Sequence, residues 1–344
     1  MLPRTSFQRM LRLNKSISKH QNPLASAHRY TTDAKQPEHG VFASKRTGDC
    51  TLGRTPVQLA RTPPIGYVYL GADIEYLKAL ELQQWLVRKR IDDIHGQHQQ
   101  LKKQQNKEAW KGRKYPDVLL LLQHAPVYTN GRRNRGKLTA AEIERLCKSG
   151  NHAEYVETSR GGEITFHGPG QLVVYPIMHL RDHGLGARCF VDGLENSVIK
   201  TCARFSVDAH RMAGFPGVWT SDTQKIAALG TRCQRYVTSH GVALNCTTDL
   251  RWFDRIVPCG LDGKVATSLE RILLHRCDDG GGDRTASKSD VSVNSVLPAM
   301  LDSFASAFGC DVVPLEGLSP ATFSEIQTKL ASIDQQPSTH TSHS

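Results

Sequence analysis

The chain has 344 residues, of which 39% are apolar, and a formal net charge of +11. No apolar run approaches the roughly 20 residues that a membrane helix needs, so the sequence predicts a soluble globular protein. The basic excess lies in residues 1–32, with six basic and no acidic residues, and in residues 95–115, with six basic residues and one acidic residue. This distribution argues against a folded basic face for nucleic acid.

The chain contains nine cysteines, an odd number, with no CxxC pair and no regular spacing. This pattern argues against a disulfide scaffold and against a structural zinc site. A reducing compartment is the simpler expectation.

Residues 1–32 combine Arg and Ser with scattered apolar residues and no acid, which is typical of a mitochondrial transit peptide. The alternative is a disordered basic tail. Residues 33–64 are polar and irregular and are interpreted as a linker. We expect one folded catalytic domain over residues 65–334 and a disordered tail over residues 335–344.

The first predicted elements are a short strand over Tyr67 to Leu70 and a helix that Asp73 caps and that runs to about Asp92. Residues 95–115 are rich in Gln, Lys and His and are interpreted as a helix extension or a loop. This insertion is either a plain surface feature or a basic segment that steers an acidic partner.

Further strands and helices are predicted along the rest of the chain. A buried strand is predicted over Val118 to Leu122, and short strands alternating with turns over Gly217 to Leu261. A flexible loop with insertion character is predicted over residues 275–290. Helices are predicted over Thr139 to Lys148, Ala187 to Phe205, Val293 to Phe308 and Ser319 to Ile333, the last with Ser319 as cap. The mixture predicts an α/β (α+β) class with a single mixed-sheet domain.

The stretch from Arg160 to Tyr175, RGGEITFHGPGQLVVY, contains four glycines and a proline before an apolar strand. Glycine is used where the backbone takes unusual dihedrals or approaches a ligand closely. The stretch therefore predicts a loop that holds a substrate. The alternative is an ordinary hairpin connection, in which His167 only hydrogen-bonds the loop.

The pattern RGG-x-x-T-x-HGPGQ-x-x-x-Y resembles the signature of the lipoyl(octanoyl) transferases. Five more motifs agree in the order of that family: HAPVYTNGRR (His124 to Arg133), GVWT (Gly217 to Thr220), KIAALG (Lys225 to Gly230), SHGVALN (Ser239 to Asn245) and FDRIVPCGL (Phe253 to Leu261). The resemblance covers roughly residues 65 to 273. It implies the fold shared by biotin and lipoate protein ligases.

The resemblance also implies an activity and its partners. An octanoyl group is expected to move from octanoyl-acyl carrier protein to a lysine of lipoyl domains, namely those of the 2-oxoacid dehydrogenase complexes and of the glycine cleavage H protein. The enzyme is expected in the mitochondrial matrix, without nucleic-acid or membrane partners. No cofactor and no metal is expected.

Cys259 lies in the sequence Val-Pro-Cys-Gly-Leu, where Pro258 fixes the backbone and Gly260 leaves room for a substrate carbonyl. A single cysteine is more often a small buried apolar residue. The resemblance reverses this reading, because Cys259 matches the acyl-carrying cysteine of the family. Lys225, at the start of an apolar strand, is either a snorkelling strand-end residue or the proton acceptor of a Lys–Cys dyad, and the resemblance favours the dyad.

The resemblance implies a set of residues around the acyl chain. These are Arg160, Gly161, Gly162, Glu163, Ile164, Thr165, Phe166, His167, Ala228, Leu229, Gly230, Gly241, Val242 and Ala243. His124 and His240 are expected as neighbours of this pocket. Backbone N–H groups of the glycine loop are expected to hold the thioester oxygen.

Two rival functions remain at the level of sequence. An ATP-dependent lipoate or biotin-type ligase shares the implied fold but needs no acyl cysteine, and the chain has no GxxxxGK[ST] loop. A catalytically silent carrier-binding module is the other, and intact Lys225 and Cys259 oppose it. The histidines and Cys259 have no metal-ligand spacing.

Overall fold

The computed structural model describes residues 62–104, 114–148, 152–256, 263–278 and 290–335, with the backbone alone described for 97–104 and 276–278. The predictions for the transit peptide, for most of the linker, for Cys259, for the glycine run at 280–282 and for residues 336–344 lie outside these ranges. None of the described helices is long and apolar enough to cross a membrane.

The described strands form two sheets. They are β1 Ile65–Tyr69, β2 Asp117–Leu122, β3 Val127–Asn130, β4 Glu154–Glu157, β5 Thr165–His167, β6 Gln171–Ile177, β7 His210–Met212, β8 Phe215–Trp219, β9 Gln224–Gln234, β10 Val237–Asn245, β11 Val265–Ala266 and β12 Val312–Pro314. The main sheet is mixed and has nine strands, in the order β12-β1-β2-β6-β10-β9-β8-β7, with the short β11 beside β9. Strands β12, β1 and β2 are parallel, whereas β2 to β6 and all further neighbours along the path to β7 are antiparallel. A second sheet has the order β4-β3-β5.

Helices cover both faces of the main sheet, because its strands alternate apolar side chains between two cores. In β2, Leu119 and Leu121 enter one core, whereas Leu120 and Leu122 enter the other. The described helices are α1 Tyr76–Gln104, α2 Ala140–Lys148, α3 Ala187–Arg204, α4 Leu269–Asp278, α5 Val293–Phe308, α6 Leu315–Leu318 and α7 Pro320–Asp334, with 3₁₀ turns at Leu180–His183 and Leu250–Arg255. Helices α3 and α5 pack in the first core, and α1 and α7 in the second.

The small sheet is built on a third, aromatic core. Phe166 of β5 stacks on Trp252 with 4.8 Å between ring centroids, and Tyr128 of β3 lies 5.4 Å from Phe166. Because β5 pairs with β3, the glycine-rich stretch contains a strand and is not one continuous loop. This pairing holds residues 165–167 in the small sheet. The Gly161 N–H donates to the Thr231 carbonyl of β9 at 3.0 Å, which joins the stretch to the main sheet.

The mixed α/β class and the helices over 140–148, 187–204 and 293–308 confirm the sequence predictions. The prediction that Asp73 caps α1 is wrong. Asp73 has a φ of +62°, and Ile74 forms a β-bridge with His124, so the helix begins only at Tyr76. Residues 95–104 of the 95–115 insertion continue α1 as a helix extension, whereas residues 114 and 115, which are also described, form a bend before β2.

Two further predictions need correction. The region after Gly217 holds two long strands, β9 and β10, joined at Arg235 and Tyr236, where short strands and turns were expected. Residues 275–278 belong to α4 and not to a loop, because Leu269 is buried in the first core and anchors that helix.

Candidate active site

A cavity of about 360 Å³ lies where residues 160–167 approach β9 and β10. Its lining comprises Tyr76, Arg133, residues 160–165, His167, Val173, Tyr175, Val191, residues 214–216, Lys225, residues 228–231 and residues 240–243. Apolar side chains of three strands, Val173, Leu229 and Val242, contribute to the wall. The cavity therefore suits a ligand with a short apolar chain.

Glycines bring the backbones around the cavity close together. Gly230 of β9 lies opposite Gly241 of β10 in the ladder. A Cβ on Gly241 would lie 2.1 Å from the Val174 carbonyl oxygen, and one on Gly230 would lie 2.8 Å from the Gly161 carbonyl oxygen. These contacts leave no room for a side chain, so glycine is required at both positions.

Arg160 organises the loop that covers the cavity. Its Nη2 donates to the Thr129 carbonyl at 2.7 Å, to Thr129 Oγ1 at 2.8 Å and to the Glu163 carbonyl at 2.9 Å, and Nη1 donates to the Gly161 carbonyl at 3.0 Å. The Gly161 N–H donates to the Thr231 carbonyl at 3.0 Å. This N–H is therefore already used and does not serve as an oxyanion donor in this arrangement.

Three histidines lie in or behind the cavity wall. His124 donates from Nδ1 to the Ile74 carbonyl at 2.8 Å, and its Nε2 accepts from the Tyr175 hydroxyl at 2.8 Å. His167 donates from Nδ1 to Gln171 Oε1 at 2.7 Å, which gives this ring a structural contact. His124 is not part of the lining and lies behind His167, with 5.7 Å between ring centroids.

Burial keeps these imidazoles neutral. It lowers the pKa of His124 to about 4, although the hydrogen bond to Ile74 opposes the shift. Burial lowers the pKa of His240 to about 3, helped by the positive charges of Arg160 and Arg232. Burial, with His124 and Arg160 adding to it, lowers the pKa of His167 well below its ordinary value. At neutral pH the wall near these rings therefore carries no imidazolium charge.

Lys225 lies where β8, β9 and β11 meet, and its side chain reaches the cavity although the residue is only 8% exposed. Its Nζ lies 5.2 Å from the centroid of the Trp219 ring, a cation–π distance. Gly217 has a φ of +121°, and a Cβ there would lie 2.4 Å from Cε of Lys225. The lysine side chain therefore occupies the space that the missing side chain of Gly217 leaves.

Cys259 lies outside the described residues, between Ile256 and Gly263. After the gap, Ala266 of β11 lies opposite Lys225 in a parallel ladder, and the Thr267 N–H donates to the Lys225 carbonyl at 2.9 Å. The described residues that follow Cys259 in sequence therefore run directly beside Lys225.

No described cysteine lines the cavity. Burial raises the pKa of Cys202 to about 12 and raises that of Cys246 as well, so neither core thiol is a thiolate at neutral pH. Cys189 is disulfide-bonded, which the cysteine pattern did not predict. Among the described residues, no group of three His, Cys, Asp or Glu side chains is arranged to hold a metal ion.

The structure brings the predicted substrate residues together around the cavity, with the exception of Phe166. Thr165 and His167 reach the cavity from β5, whereas Phe166, between them, points to the aromatic core. Their role in substrate binding stays a prediction. Sequence reasoning did not assign Tyr76, Val173, Tyr175, Val191 or residues 214–216 to the site. A signal existed for Val173 and Tyr175, which share one face of β6.

Comparison with known proteins adds the family. Residues 75–305 match the lipoyl protein ligase A/B catalytic domain. The Danio rerio protein named octanoyl-[acyl-carrier-protein]:protein N-octanoyltransferase LIPT2, mitochondrial, is 40% identical over 243 residues, which is 71% of this chain and 92% of the relative. The chain belongs to the octanoyltransferases of this family. It is therefore an acyltransferase.

A second sequence relative agrees with the family, and one solved structure agrees with the fold. The Homo sapiens protein of the same name is 39% identical over 256 residues, covering 74% of this chain and 97% of the relative. The solved structure of T. acidophilum protein Ta0514, described as a lipoate protein ligase with bound lipoic acid, matches with a TM-score of 0.50 at 12% identity. It covers 76% of this chain and 96% of that protein, and it supports the predicted lipoate-ligase fold.

Proposed function

We propose that this octanoyltransferase moves an octanoyl group from octanoyl-acyl carrier protein to a lysine of a lipoyl domain. The observation that carries the proposal is the position of Lys225, a buried lysine that reaches an apolar, glycine-walled cavity. The cavity volume lies at the lower end of the roughly 300–1,000 Å³ common for small-molecule sites. A cavity of this size and lining suits a short acyl chain.

In the first half-reaction, Lys225 accepts the thiol proton of Cys259, and the thiolate attacks the thioester carbonyl of the acyl carrier. A bond forms between the carbonyl carbon and the Cys259 sulfur. The bond to the carrier sulfur breaks, and this sulfur takes the proton back from Lys225. The product is acyl-Cys259 and the free carrier thiol.

In the second half-reaction, the lysine amine of the lipoyl domain attacks acyl-Cys259. An amide bond forms, the bond between the acyl carbon and the Cys259 sulfur breaks, and the departing thiolate takes up a proton from the attacking amine through Lys225. Conversion of a thioester to an amide is downhill, so the reaction consumes no ATP.

Intact mass spectrometry tests the proposal. Incubation with octanoyl-acyl carrier protein is expected to add one octanoyl group to the wild-type protein and none to Cys259→Ser. Cys233→Ser is the matched control, because Cys233 is exposed and does not line the cavity. Octanoyl transfer at the wild-type rate by Cys259→Ser contradicts the assignment of Cys259 as the nucleophile. Amide formation from free octanoate and ATP, without an adduct, indicates the ligase chemistry instead.

The location and the targets belong to the same proposal. The two animal relatives are mitochondrial by name, which supports a mitochondrial location, and we place the enzyme in the matrix. Its acceptors are lipoyl domains of the 2-oxoacid dehydrogenase complexes and the glycine cleavage H protein. A truncation that starts at Asp33 is expected to keep transfer activity in vitro and to lose import. A folded but inactive truncation contradicts the transit-peptide interpretation.

A further inference from the structure

Glu195 is a buried carboxylate that the proposed chemistry does not use. It lies on α3, is 6% exposed, and accepts a hydrogen bond from the Gly217 N–H at 2.9 Å. Its second oxygen lies 3.2 Å from Nε of Arg211 on β7. Burying a carboxylate is costly unless it is bonded, so its position between α3, β7 and β8 calls for a role.

Gly217 connects this carboxylate to Lys225. Glu195 holds the Gly217 N–H, and Lys225 packs its Cε where a Cβ of Gly217 would lie at 2.4 Å, with Nζ at 3.0 Å from the same point. The ladder between β8 and β9 is irregular here, with a register shift between Val218 and Trp219. The hydrogen bond that the Gly217 N–H donates to Glu195 therefore fixes the peptide against which the lysine side chain packs.

The charges around Glu195 also reach Lys225. The charged neighbours of the carboxylate are Arg211 on β7, Asp192 on α3 and Lys225 on β9. Lys264 also lies near the Trp219 ring, with Nζ 5.8 Å from its centroid. Burial raises the pKa of Glu195, while the Gly217 N–H, Arg211 and Lys225 oppose the shift.

We infer that Glu195 is a positioning residue for Lys225. It accepts the Gly217 N–H and so fixes the peptide against which the Lys225 side chain packs, which keeps the amine at the cavity. The placement of the lysine is a property of the fold alone, whereas its effect on octanoyl transfer rests on the proposed function.

Three variants separate the hydrogen bond that Glu195 accepts from the charge that it carries. Glu195→Gln keeps an oxygen acceptor for the Gly217 N–H and removes the charge, Glu195→Ala removes both, and Asp192→Asn is the control on the same helix. We expect Glu195→Ala to lower kcat about 10- to 100-fold, since a displacement of about 1 Å has effects of this size. The KM for the acyl carrier is expected to stay within about twofold, because Glu195 does not line the cavity.

A chemical measurement on Lys225 decides the inference without reference to octanoyl transfer. The rate at which acetic anhydride labels Lys225 is followed by peptide mass spectrometry between about pH 6 and pH 10, with exposed Lys200 as internal reference. Glu195→Ala is expected to speed labelling of Lys225, because Gly217 is then released and no longer holds the amine in its buried position. Glu195→Gln is expected to label more like the wild type, because it keeps an acceptor for the Gly217 N–H. Asp192→Asn is expected to label like the wild type.

The outcomes are distinct. If Glu195→Ala does not fold, Glu195→Asp carries the test, since its shorter side chain withdraws the acceptor from the Gly217 N–H. If the wild type labels as expected but does not transfer octanoyl, the proposed function is wrong and the positioning role stands. A Lys225 labelling profile that is identical in the wild type and in folded Glu195→Ala or Glu195→Asp overturns the inference, whatever the value of kcat.

Discussion

Gly230 and Gly241 lie opposite each other in the ladder between β9 and β10, and residues 160–162 cross above them. A methyl group on Gly230 would lie 2.8 Å from the Gly161 carbonyl oxygen and 3.0 Å from Cδ of Arg160. The carbonyl belongs to the backbone and has no rotamer with which to move away. The width of the cavity therefore depends on the absence of a side chain at this point.

We predict that Gly230→Ala displaces the loop and lowers octanoyl transfer at least about tenfold, with a loss of about 1–3 kcal/mol in the free energy of unfolding from overpacking. Transfer rates and urea unfolding midpoints measure the two effects. Gly186→Ala is the control, because a Cβ on Gly186 meets nothing within 4 Å. Wild-type transfer by Gly230→Ala would show that the loop adapts.

Lys225 gives a second prediction at this scale. A nearby cation favours a thiolate, so Lys225→Ala is expected to slow iodoacetamide alkylation of Cys259 at neutral pH, with recovery as the pH rises. Lys225→Arg keeps a charge but does not give up a proton at working pH. It is expected to restore alkylation better than turnover. Exposed Cys233 serves as the internal reference. If the alkylation profiles coincide in all three proteins, Lys225 does not control the ionisation of Cys259, and the proposed Lys–Cys dyad is wrong.

Single residues were predictable from sequence where a motif fixed the backbone. Arg160, Gly161 and Gly162 line the cavity as the glycine-rich motif predicted. Gly230 of β9 and Gly241 of β10, which the family resemblance implied, line it as well. Phe166 was assigned to the site with the rest of residues 160–167, because the family resemblance implies the whole run. Strand alternation in β5 turns its side chain away from the cavity. Tyr76 and Val191 come from helices distant in sequence, and only tertiary packing brings them to the cavity.

At the scale of elements, the loop over residues 160–164 is held to β3 through one side chain. The planar guanidinium of Arg160 donates to three backbone carbonyls and one hydroxyl. A lysine ammonium has three protons that do not lie in one plane, so it does not reproduce these four hydrogen bonds. The structure thus gives Arg160 a role in organising the loop, in addition to its place in the lining.

Arg160→Lys is therefore expected to lower the free energy of unfolding by about 2–4 kcal/mol, because buried acceptors lose charged donors. Urea denaturation measures this loss. Arg132→Lys is the matched control on the neighbouring loop, since the side chain of Arg132 is exposed. A stability equal to that of the wild type, together with a raised KM for the acyl carrier, would indicate that Arg160 acts on substrate alone.

Helices with strong periodicity were predictable, including the ends of several, whereas the turn between two long strands was not. Helix α2 begins with a capping box in which Thr139 and Glu142 bond each other's backbone N–H groups, and the sequence placed this helix within one residue. The hairpin between β9 and β10 turns at Arg235 and Tyr236 with φ values of +49° and +67°. Neither residue type favours a positive φ, so local sequence carried no turn signal there.

For the molecule as a whole, the buried histidines make stability depend on pH. Unfolded histidine has a pKa of about 6.5, whereas burial lowers the folded pKa to about 4 for His124 and to about 3 for His240. The unfolded state therefore binds more protons in this window. The stability contribution of each neutral ring is fully present above about pH 6.5 and is lost as the pH falls toward the folded pKa.

A buried carboxylate adds a separate acid-sensitive contribution. Asp117 bonds Arg90 Nε at 2.8 Å and His183 Nε2 at 2.6 Å. Although burial opposes the shift, these partners hold the pKa of Asp117 below its usual range. Its contribution is present above the ordinary aspartate pKa of about 4 and is lost only at lower pH. A fall in stability between about pH 7 and pH 5 therefore belongs to the histidines and not to Asp117.

We predict that His124 alone accounts for about 2 kcal/mol of the stability lost between about pH 7 and pH 5. The measurement is the free energy of urea unfolding at several pH values in wild type and His124→Gln. Glutamine offers a donor to the Ile74 carbonyl and an acceptor to Tyr175 but does not titrate, so the pH dependence of the variant is expected to be shallower by that amount. Exposed His152, replaced by Gln, is the control and is expected to keep the wild-type slope. A loss of stability in His124→Gln that is equal at all pH values is compatible with this prediction. An unchanged pH dependence of the free energy of unfolding would show that His124 takes up a proton in the folded state.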